Sequence, residues 1–139
     1  GLGVRFSVAD GVVRVRTRVD PRFEGYPGRV HGGVITALLD ETAGWACTVA
    51  VGRLCLTARI SVRFIHPVPG GEPLEVVGEH LGGRAGFEQG RARLVDRDGR
   101  TLASADGLFS AVEETAHLAM VPELVMPGRA ARPEDVAGE

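Results

Sequence analysis

The feature that most constrains this chain is one long apolar segment that follows His31-Gly32-Gly33 and carries only two charged side chains, Asp40 and Glu41. Its length predicts one helix over about His31–Val51 that ends at Gly52, because glycine commonly terminates helices. A helix this apolar must be buried. A buried carboxylate costs several kcal/mol unless something offsets it, so Asp40 is expected to have a function.

The glycines at the start of this helix predict an anion site. Backbone N–H groups are bare at a helix N-terminus, and the positive end of the helix dipole lies there. A developing negative charge would therefore be stabilised at Gly32 and Gly33. His31 either ties the loop to the helix or takes part in chemistry. Glu41 turns about 100° away from Asp40 and either faces solvent, pairs with an arginine or contacts a substrate.

Alternating apolar and polar residues predict strands on both sides of the helix. Asp10-Gly11 is a turn dipeptide and predicts a hairpin, while Pro21–Val30 is rich in Gly and Pro and predicts a loop. The expected strands are Val4–Val8, Val12–Val19, Leu56–Ile65, Leu74–His80, Phe87–Val95 and Thr101–Ala111. In the Leu56–Ile65 strand, Ala58, Ile60, Val62 and Phe64 are expected to face the helix, with Thr57, Arg59, Ser61 and Arg63 opposite.

Length and composition predict one globular domain over residues 1–125, with 126–139 as a flexible tail after a short helical stretch beyond Val112. The chain has 139 residues and a net charge of -2, so it lacks the positive field that would attract nucleic acid. No stretch approaches the roughly 18 apolar residues that cross a bilayer, so no membrane is expected. Without a secretory signal, and with Cys47 and Cys55 as buried free thiols, the expected location is the cytoplasm.

Several kinds of chemistry are disfavoured. All 16 basic residues are arginine, which excludes a lysine Schiff base. The four histidines show no spacing typical of metal ligands, so neither a metal nor a cofactor is expected. Gly82-Gly83-Arg84 lies between two predicted strands and either cradles a phosphate through N–H groups and a guanidinium or forms a plain hairpin loop. Five or six strands around one helix leave a sheet face uncovered, which predicts a second copy of the chain.

The sequence resembles the hotdog-fold thioesterases of the acyl-CoA class, the phenylacetic-acid-degradation and 4-hydroxybenzoyl-CoA thioesterase-like superfamily. The resemblance covers roughly Gly11–Val112. It is carried by His31-Gly32-Gly33 with an acid nine residues after the histidine, by Leu38-Leu39-Asp40-Glu41, and by Thr57–Phe64 followed by Pro67-Val68-Pro69. It implies an α+β hotdog fold, in which a curved antiparallel sheet of five to six strands wraps around one long central helix.

The resemblance also implies roles for individual residues. The N–H of Gly32 would polarise a thioester carbonyl, Asp40 would be the nucleophile or the general base, and the Thr57 hydroxyl would position a water molecule. His31 would help to hold the loop and the carbonyl. Many relatives carry Asn or Gln six residues before the histidine, where this chain has Gly25. Gly33, Gly83, Arg84 and Glu41 are the expected substrate-binding residues.

Helix geometry adds a constraint that does not depend on the family. Asp40 lies eight residues beyond Gly32, or roughly 12 Å along the axis, whereas reacting groups must approach to about 3 Å. Two antiparallel helices related by a twofold axis would bring Gly32 of one chain beside Asp40 of the other. The sequence therefore predicts an obligate homodimer with composite sites, and possibly a dimer of dimers through the sheets.

The expected reaction is hydrolysis of a small or medium acyl- or aryl-CoA to a free acid and CoA, and an acyl carrier protein thioester is an alternative substrate. A hotdog dehydratase is disfavoured, because Trp45 stands fourteen residues after His31 where such an enzyme would carry Glu. A non-catalytic module that binds acyl-CoA is the alternative from another functional class.

Overall fold

The computed structural model describes residues 5–113. The tail predicted over residues 126–139 lies outside this range. The helical stretch expected beyond Val112 also lies outside it, except for Glu113. In chain order the described part contains β1 (Arg5–Ala9), β2 (Val12–Arg18), a 3-10 turn (Pro21–Phe23), β3 (Glu24–Tyr26), β4 (Arg29–Val30), α1 (Gly32–Val51), β5 (Cys55–Phe64), β6 (Pro73–Arg84), β7 (Phe87–Val95) and β8 (Thr101–Ala111).

Six of these strands form one antiparallel sheet in the order β1-β2-β6-β7-β8-β5. The helix α1 connects β2 near one edge to β5 at the other, and it packs against β2, β5, β6, β7 and β8. The predicted α+β hotdog fold, with a curved antiparallel sheet around one central helix, is therefore confirmed.

Strand β2 shows why the sheet has an inner and an outer face. Val13 and Val15 are buried and alternate with the exposed Arg14 and Arg16, as a period of two requires. Register pairing places Val13 opposite Gly78 and continues the inner face across β6. The buried side chains of these strands and of α1 form a single core.

The helix approaches the sheet closely because the inner face carries glycines. A Cβ at position 78 would lie 2.7 Å from the Thr42 carbonyl oxygen, and a Cβ at position 90 would lie 2.9 Å from the Cys47 sulfur. The Phe109 ring is fully buried and would lie 3.1 Å from a Cβ at position 90. The depth of α1 is therefore set by residues that have no side chain.

The hairpin at Asp10-Gly11 is confirmed, whereas two other expectations about loops are wrong. Asp10 and Gly11 both have positive φ, as a two-residue hairpin turn requires. Gly82-Gly83-Arg84 does not form a loop between strands, because an irregular step between His80 and Gly82 lets β6 continue to Arg84. The loop predicted over Pro21–Val30 instead contains the 3-10 turn and the small β3-β4 hairpin.

A bulge in β5 reverses the predicted orientation of Thr57. Thr57 pairs with Phe109 and Arg59 pairs with Leu108, so Ala58 is left over in the ladder. A β-bulge places two consecutive residues against one partner and shifts the alternation of faces. Thr57 therefore lies on the inner face, together with Ile60, and the expectation that Ala58 faces the helix is wrong.

The outer face of the sheet, which was expected to meet a second copy of the chain, is charged. Arginines and a few acids dominate it, with Arg14 and Arg16 both paired to Glu75 at 3.0 and 3.2 Å. A charged face of this kind is stable in water. Exposed apolar surface occurs instead at the end of β5, where Phe64 is 55% and Ile65 is 45% exposed.

The helix α1 is long and apolar enough, by length and composition alone, to cross a membrane, with a mean hydropathy of 1.3. The expectation that no segment reaches this threshold is therefore wrong. Its buried side chains pack into the sheet, and core helices of soluble proteins pass the same test. The packing is that of a core helix.

We expect Gly78→Ala to lower the free energy of unfolding by about 1–3 kcal/mol, because the new methyl group meets the backbone of the helix. Chemical denaturation monitored by circular dichroism measures this. Ser61→Ala, on the exposed outer face of β5, should change the value by less than about 0.5 kcal/mol. Equal effects of the two substitutions would contradict the close approach at Gly78.

Candidate functional site

The structure brings Asp40 and Thr57 together. The Thr57 hydroxyl donates a hydrogen bond to Asp40 Oδ1 over 2.6 Å. Asp40 is half-buried and Thr57 is exposed, so the carboxylate is held by the protein while remaining open to the surface. A hydrogen bond to a carboxylate is charge-assisted and orients it. The contact exists only because the bulge at Ala58 turns Thr57 inward.

The first turn of α1 leaves one amide free among the described residues. Gly33 N–H donates to His31 Nδ1 over 2.9 Å, and the N–H groups of Val34 and Ile35 donate to the His31 carbonyl oxygen over 3.0 and 3.2 Å. Gly32 N–H has no acceptor in the described part of the chain. It lies at the positive end of the helix dipole, so it is available to an anionic oxygen.

His31 caps the helix. Its extended backbone and its ring nitrogen satisfy the first turn, as an N-cap side chain does. Of its two predicted roles, tying the loop to the helix is confirmed. The structure also distinguishes the two glycines, because the Gly33 amide is used by this cap while that of Gly32 is free.

Glu41 lies on the exposed side of α1, and no arginine of the described chain forms an ion pair with it. Partial desolvation raises the pKa of its carboxyl, and the neighbouring negative charge of Asp40 raises it further. Together with Gly33 and Ala37 it forms the most exposed line along the first part of the helix.

The remaining predicted site residues lie elsewhere. Gly83 pairs with Glu88 in β7, Glu88 pairs with Phe109 in β8, and Phe109 pairs with Thr57 in β5. Three strand spacings of about 4.8 Å separate Gly83 from Thr57, or about 14 Å. Gly83 and the exposed Arg84 are therefore not next to Asp40 within one protomer.

A cleft of about 430 Å³ opens beside the free amide. Gly32 lies in its wall, and the Phe64 ring would lie 3.5 Å from a Cβ placed on Gly32. The sequence did not single out this wall, because the cleft forms where residues 25–32 meet residues 64–68. Phe64, the exposed aromatic residue at the end of β5, was the available indication of this cleft.

The two cysteines are outside this arrangement. Cys47 and Cys55 are buried free thiols, as predicted. Burial raises the pKa of Cys47 to about 12, helped by the nearby Cys55 and by Glu88. A thiol that stays protonated is a poor nucleophile. Within residues 5–113, no three His, Cys, Asp or Glu side chains are placed to hold a metal ion.

An apolar helix in a curved antiparallel sheet, with a bare amide at its start and a held carboxylate eight residues later, is the arrangement that the family resemblance implies. The sequence profile of the thioesterase superfamily matches residues 27–103. The chain belongs to the thioesterase superfamily.

Curated relatives and solved structures agree with this membership. This thioesterase-superfamily chain is 32% identical over 116 residues to the acyl-coenzyme A thioesterase THEM4 of Bos taurus, covering 78% of this chain and 46% of that protein. It spans less than half the length of the curated relatives that it matches.

Among solved structures, the thioesterase superfamily protein RHA08564 is 32% identical, with a TM-score of 0.71 over 77% of this chain and 53% of that one. The protein smu.793 of Streptococcus mutans, solved bound to acetyl CoA, shares the fold with a TM-score of 0.71 at 20% identity, covering 79% of this chain and 89% of that one.

We expect Glu41→Gln to raise the melting temperature at neutral pH. A carboxyl whose pKa is raised by folding contributes stability below its ordinary value of 4.5 and loses that contribution as pH rises through the folded value. The gain from Gln should therefore be largest at neutral pH and absent below about pH 4. Scanning calorimetry at several pH values tests this against Glu72→Gln, which is exposed and distant from α1. A gain that does not vary with pH would refute it.

Proposed function

We propose that this chain hydrolyses acyl-CoA thioesters to a free acid and CoA. The observation that carries the proposal is that α1 presents two functional groups. The Asp40 carboxylate is oriented by its hydrogen bond from Thr57, and the N–H of Gly32 has no acceptor among the described residues. The membership of the thioesterase superfamily and the resemblance to THEM4 support the reaction class.

The site is composed of two protomers. Gly32 and Asp40 are eight residues apart on one helix, about 12 Å, so one carbonyl cannot reach both on the same chain. A twofold axis near Thr36 would place Asp40 of each helix over Gly32 of the other. It would also place a carboxylate at the positive end of a helix, which is electrostatically favourable.

Two surface features support such a dimer. The exposed line of α1 is small at Gly33 and Ala37, which allows a second helix to approach closely. Strand β5 is an edge strand of ten residues with half-buried Ile60 and Val62 on its inner face. Long edge strands pair readily with another strand, so β5 offers a hydrogen-bonding row to a partner.

The chemistry follows from these groups. Asp40 takes a proton from water, and the hydroxide attacks the thioester carbonyl of a substrate bound at the opposite Gly32. The N–H of Gly32 and the helix dipole stabilise the oxyanion. The intermediate then expels the CoA thiolate, whose pKa near 8.5 is low enough that no strong general acid is required. The proton on Asp40 leaves with the thiolate or to solvent, and Thr57 keeps the carboxylate oriented throughout.

We expect Asp40→Asn to lower kcat about 100- to 10,000-fold, the usual contribution of a general base. A panel of short, long and aromatic acyl-CoAs with a thiol-trapping dye measures release of CoA. Asp106→Asn removes an exposed carboxylate from the outer face and should leave kcat unchanged. Tight binding of intact acyl-CoA without any turnover by the parent protein would instead favour a binding module.

Replacing Gly32 by proline tests the role of the free amide, because proline has no backbone N–H. Gly32 is the first helical residue, where proline is favoured, and His31 has the extended backbone (φ -60, ψ 137) that a residue before proline requires. Gly32→Pro should therefore keep the helix and lose about 100- to 1,000-fold in kcat. Gly32→Ala retains the N–H and should lose far less.

Combining the two inactive variants tests the composite site. In a heterodimer of Asp40→Asn and Gly32→Pro chains, one of the two sites contains both an intact Asp40 and an intact Gly32. Co-expression should restore about a quarter of parental activity, because half of the dimers are mixed and each has one working site. Activity no higher than that of either variant alone would show that each site lies within one chain.

A further inference from the structure

The cleft beside Gly32 has an unusual charge. Its charged or ionisable lining consists of Arg29, His31, His66 and the phenol of Tyr26, and no Asp or Glu is among its lining residues. The chain as a whole has more acids than bases, 18 against 16. Two other cavities in residues 5–113 each combine arginines with acids. The cleft beside Gly32 differs from both and is suited to an anionic ligand.

The Arg29 and His66 side chains are available to a ligand. Arg29 and His66 are exposed, and neither forms an ion pair with a described residue. The nearest acid in sequence, Glu24, is already occupied, because its Oε2 accepts a hydrogen bond from the Gly28 N–H over 2.7 Å. Arg29 thus keeps its guanidinium for a ligand.

The walls of the cleft are apolar. They are formed by Val30, Ile35, Phe64, Ile65, Pro67 and Val68. An apolar slot with polar groups at its two ends suits a long, mostly uncharged molecule that is anionic at one end. Gly32 is half-buried in this lining, whereas Arg29 and His66 are exposed to solvent.

We propose that this cleft binds the pantetheine arm of the thioester, and that Arg29 and His66 bind the phosphate at the end of that arm. The inference rests on the proposed function, since the carbonyl at Gly32 fixes one end of the arm. Phosphopantetheine is shared by CoA and by acyl carrier proteins, so the same contacts serve either source.

Arg29 and Gly32 are close enough to contact the same ligand. They are three positions apart in the chain, so their Cα atoms lie no more than about 11 Å apart. The arginine side chain carries its charge further toward solvent, which is the direction in which an arm leaving the cleft must run. A guanidinium suits phosphate because it can donate two parallel hydrogen bonds.

The test uses thioesters of one acyl group on CoA, on phosphopantetheine and on pantetheine, the acyl group being the one that the parent hydrolyses fastest. Arg29→Gln should lower kcat/KM about tenfold on the first two substrates, mainly through KM, and leave the pantetheine thioester unaffected. Arg29→Lys should recover part of the loss. Arg93→Gln is the matched control, because it removes the same charge from the exposed outer face, and it should change none of the three.

The outcomes separate the two proposals. Equal losses of kcat/KM on all three substrates would show that Arg29 has only a structural role. Equal losses in Arg29→Gln and Arg93→Gln would show that only the net charge of the protein matters. Either result overturns the phosphate site. Calorimetric titration with CoA and with pantetheine measures the affinity of the site without any turnover. If the parent hydrolyses nothing yet binds CoA about tenfold more tightly than pantetheine, and Arg29→Gln removes the difference, the phosphate site stands and the hydrolase proposal fails.

A loss on the phosphopantetheine thioester as large as that on the CoA thioester assigns the contact to the phosphate next to the arm. A loss confined to the CoA thioester would place the contact at the nucleotide instead, and would overturn the assignment. An acyl carrier protein carrying the same acyl group then distinguishes the sources, because a carrier substrate must also lose activity in Arg29→Gln if its phosphate uses this site.

Discussion

The close contact between α1 and the glycines of the inner sheet face is the constraint on which the site depends. With Gly78 against the Thr42 carbonyl and Gly90 against Cys47, the helix lies deep in the sheet. At that depth the hydroxyl of β5 reaches Asp40 over 2.6 Å. A larger residue at either glycine would push the helix outward and lengthen the one hydrogen bond that orients the carboxylate.

The same contact explains how an apolar helix carries a carboxylate without destabilising the fold. Asp40 lies where α1 meets the edge strand β5, and it is only half-buried there. Thr57 replaces part of its lost hydration. The adjacent Glu41 has no such hydrogen bond among the described residues, and partial burial together with the charge of Asp40 raises the pKa of its carboxyl.

Local signals were sufficient to predict α1, which begins one residue later than expected and ends at Val51 as predicted, and the hairpin at Asp10-Gly11. Both depend on residues close together in the chain. The face of Thr57 could not be predicted, because a bulge depends on the register between β5 and β8. The family resemblance assigned Asp40 and Thr57 to one site, with Thr57 positioning a water molecule, whereas strand alternation taken alone pointed Thr57 away from the helix. The cleft at Arg29 was missed for a similar reason, since distant segments form it.

The cap at the start of α1 has a consequence for the ring of His31. Because Nδ1 accepts the Gly33 N–H, the neutral imidazole must carry its hydrogen on Nε2, which fixes a single tautomer and makes the ring a donor toward its surroundings. One imidazole therefore closes the first turn of α1 and leaves its Nε2–H for a second acceptor, in the cleft wall that it shares with Gly32.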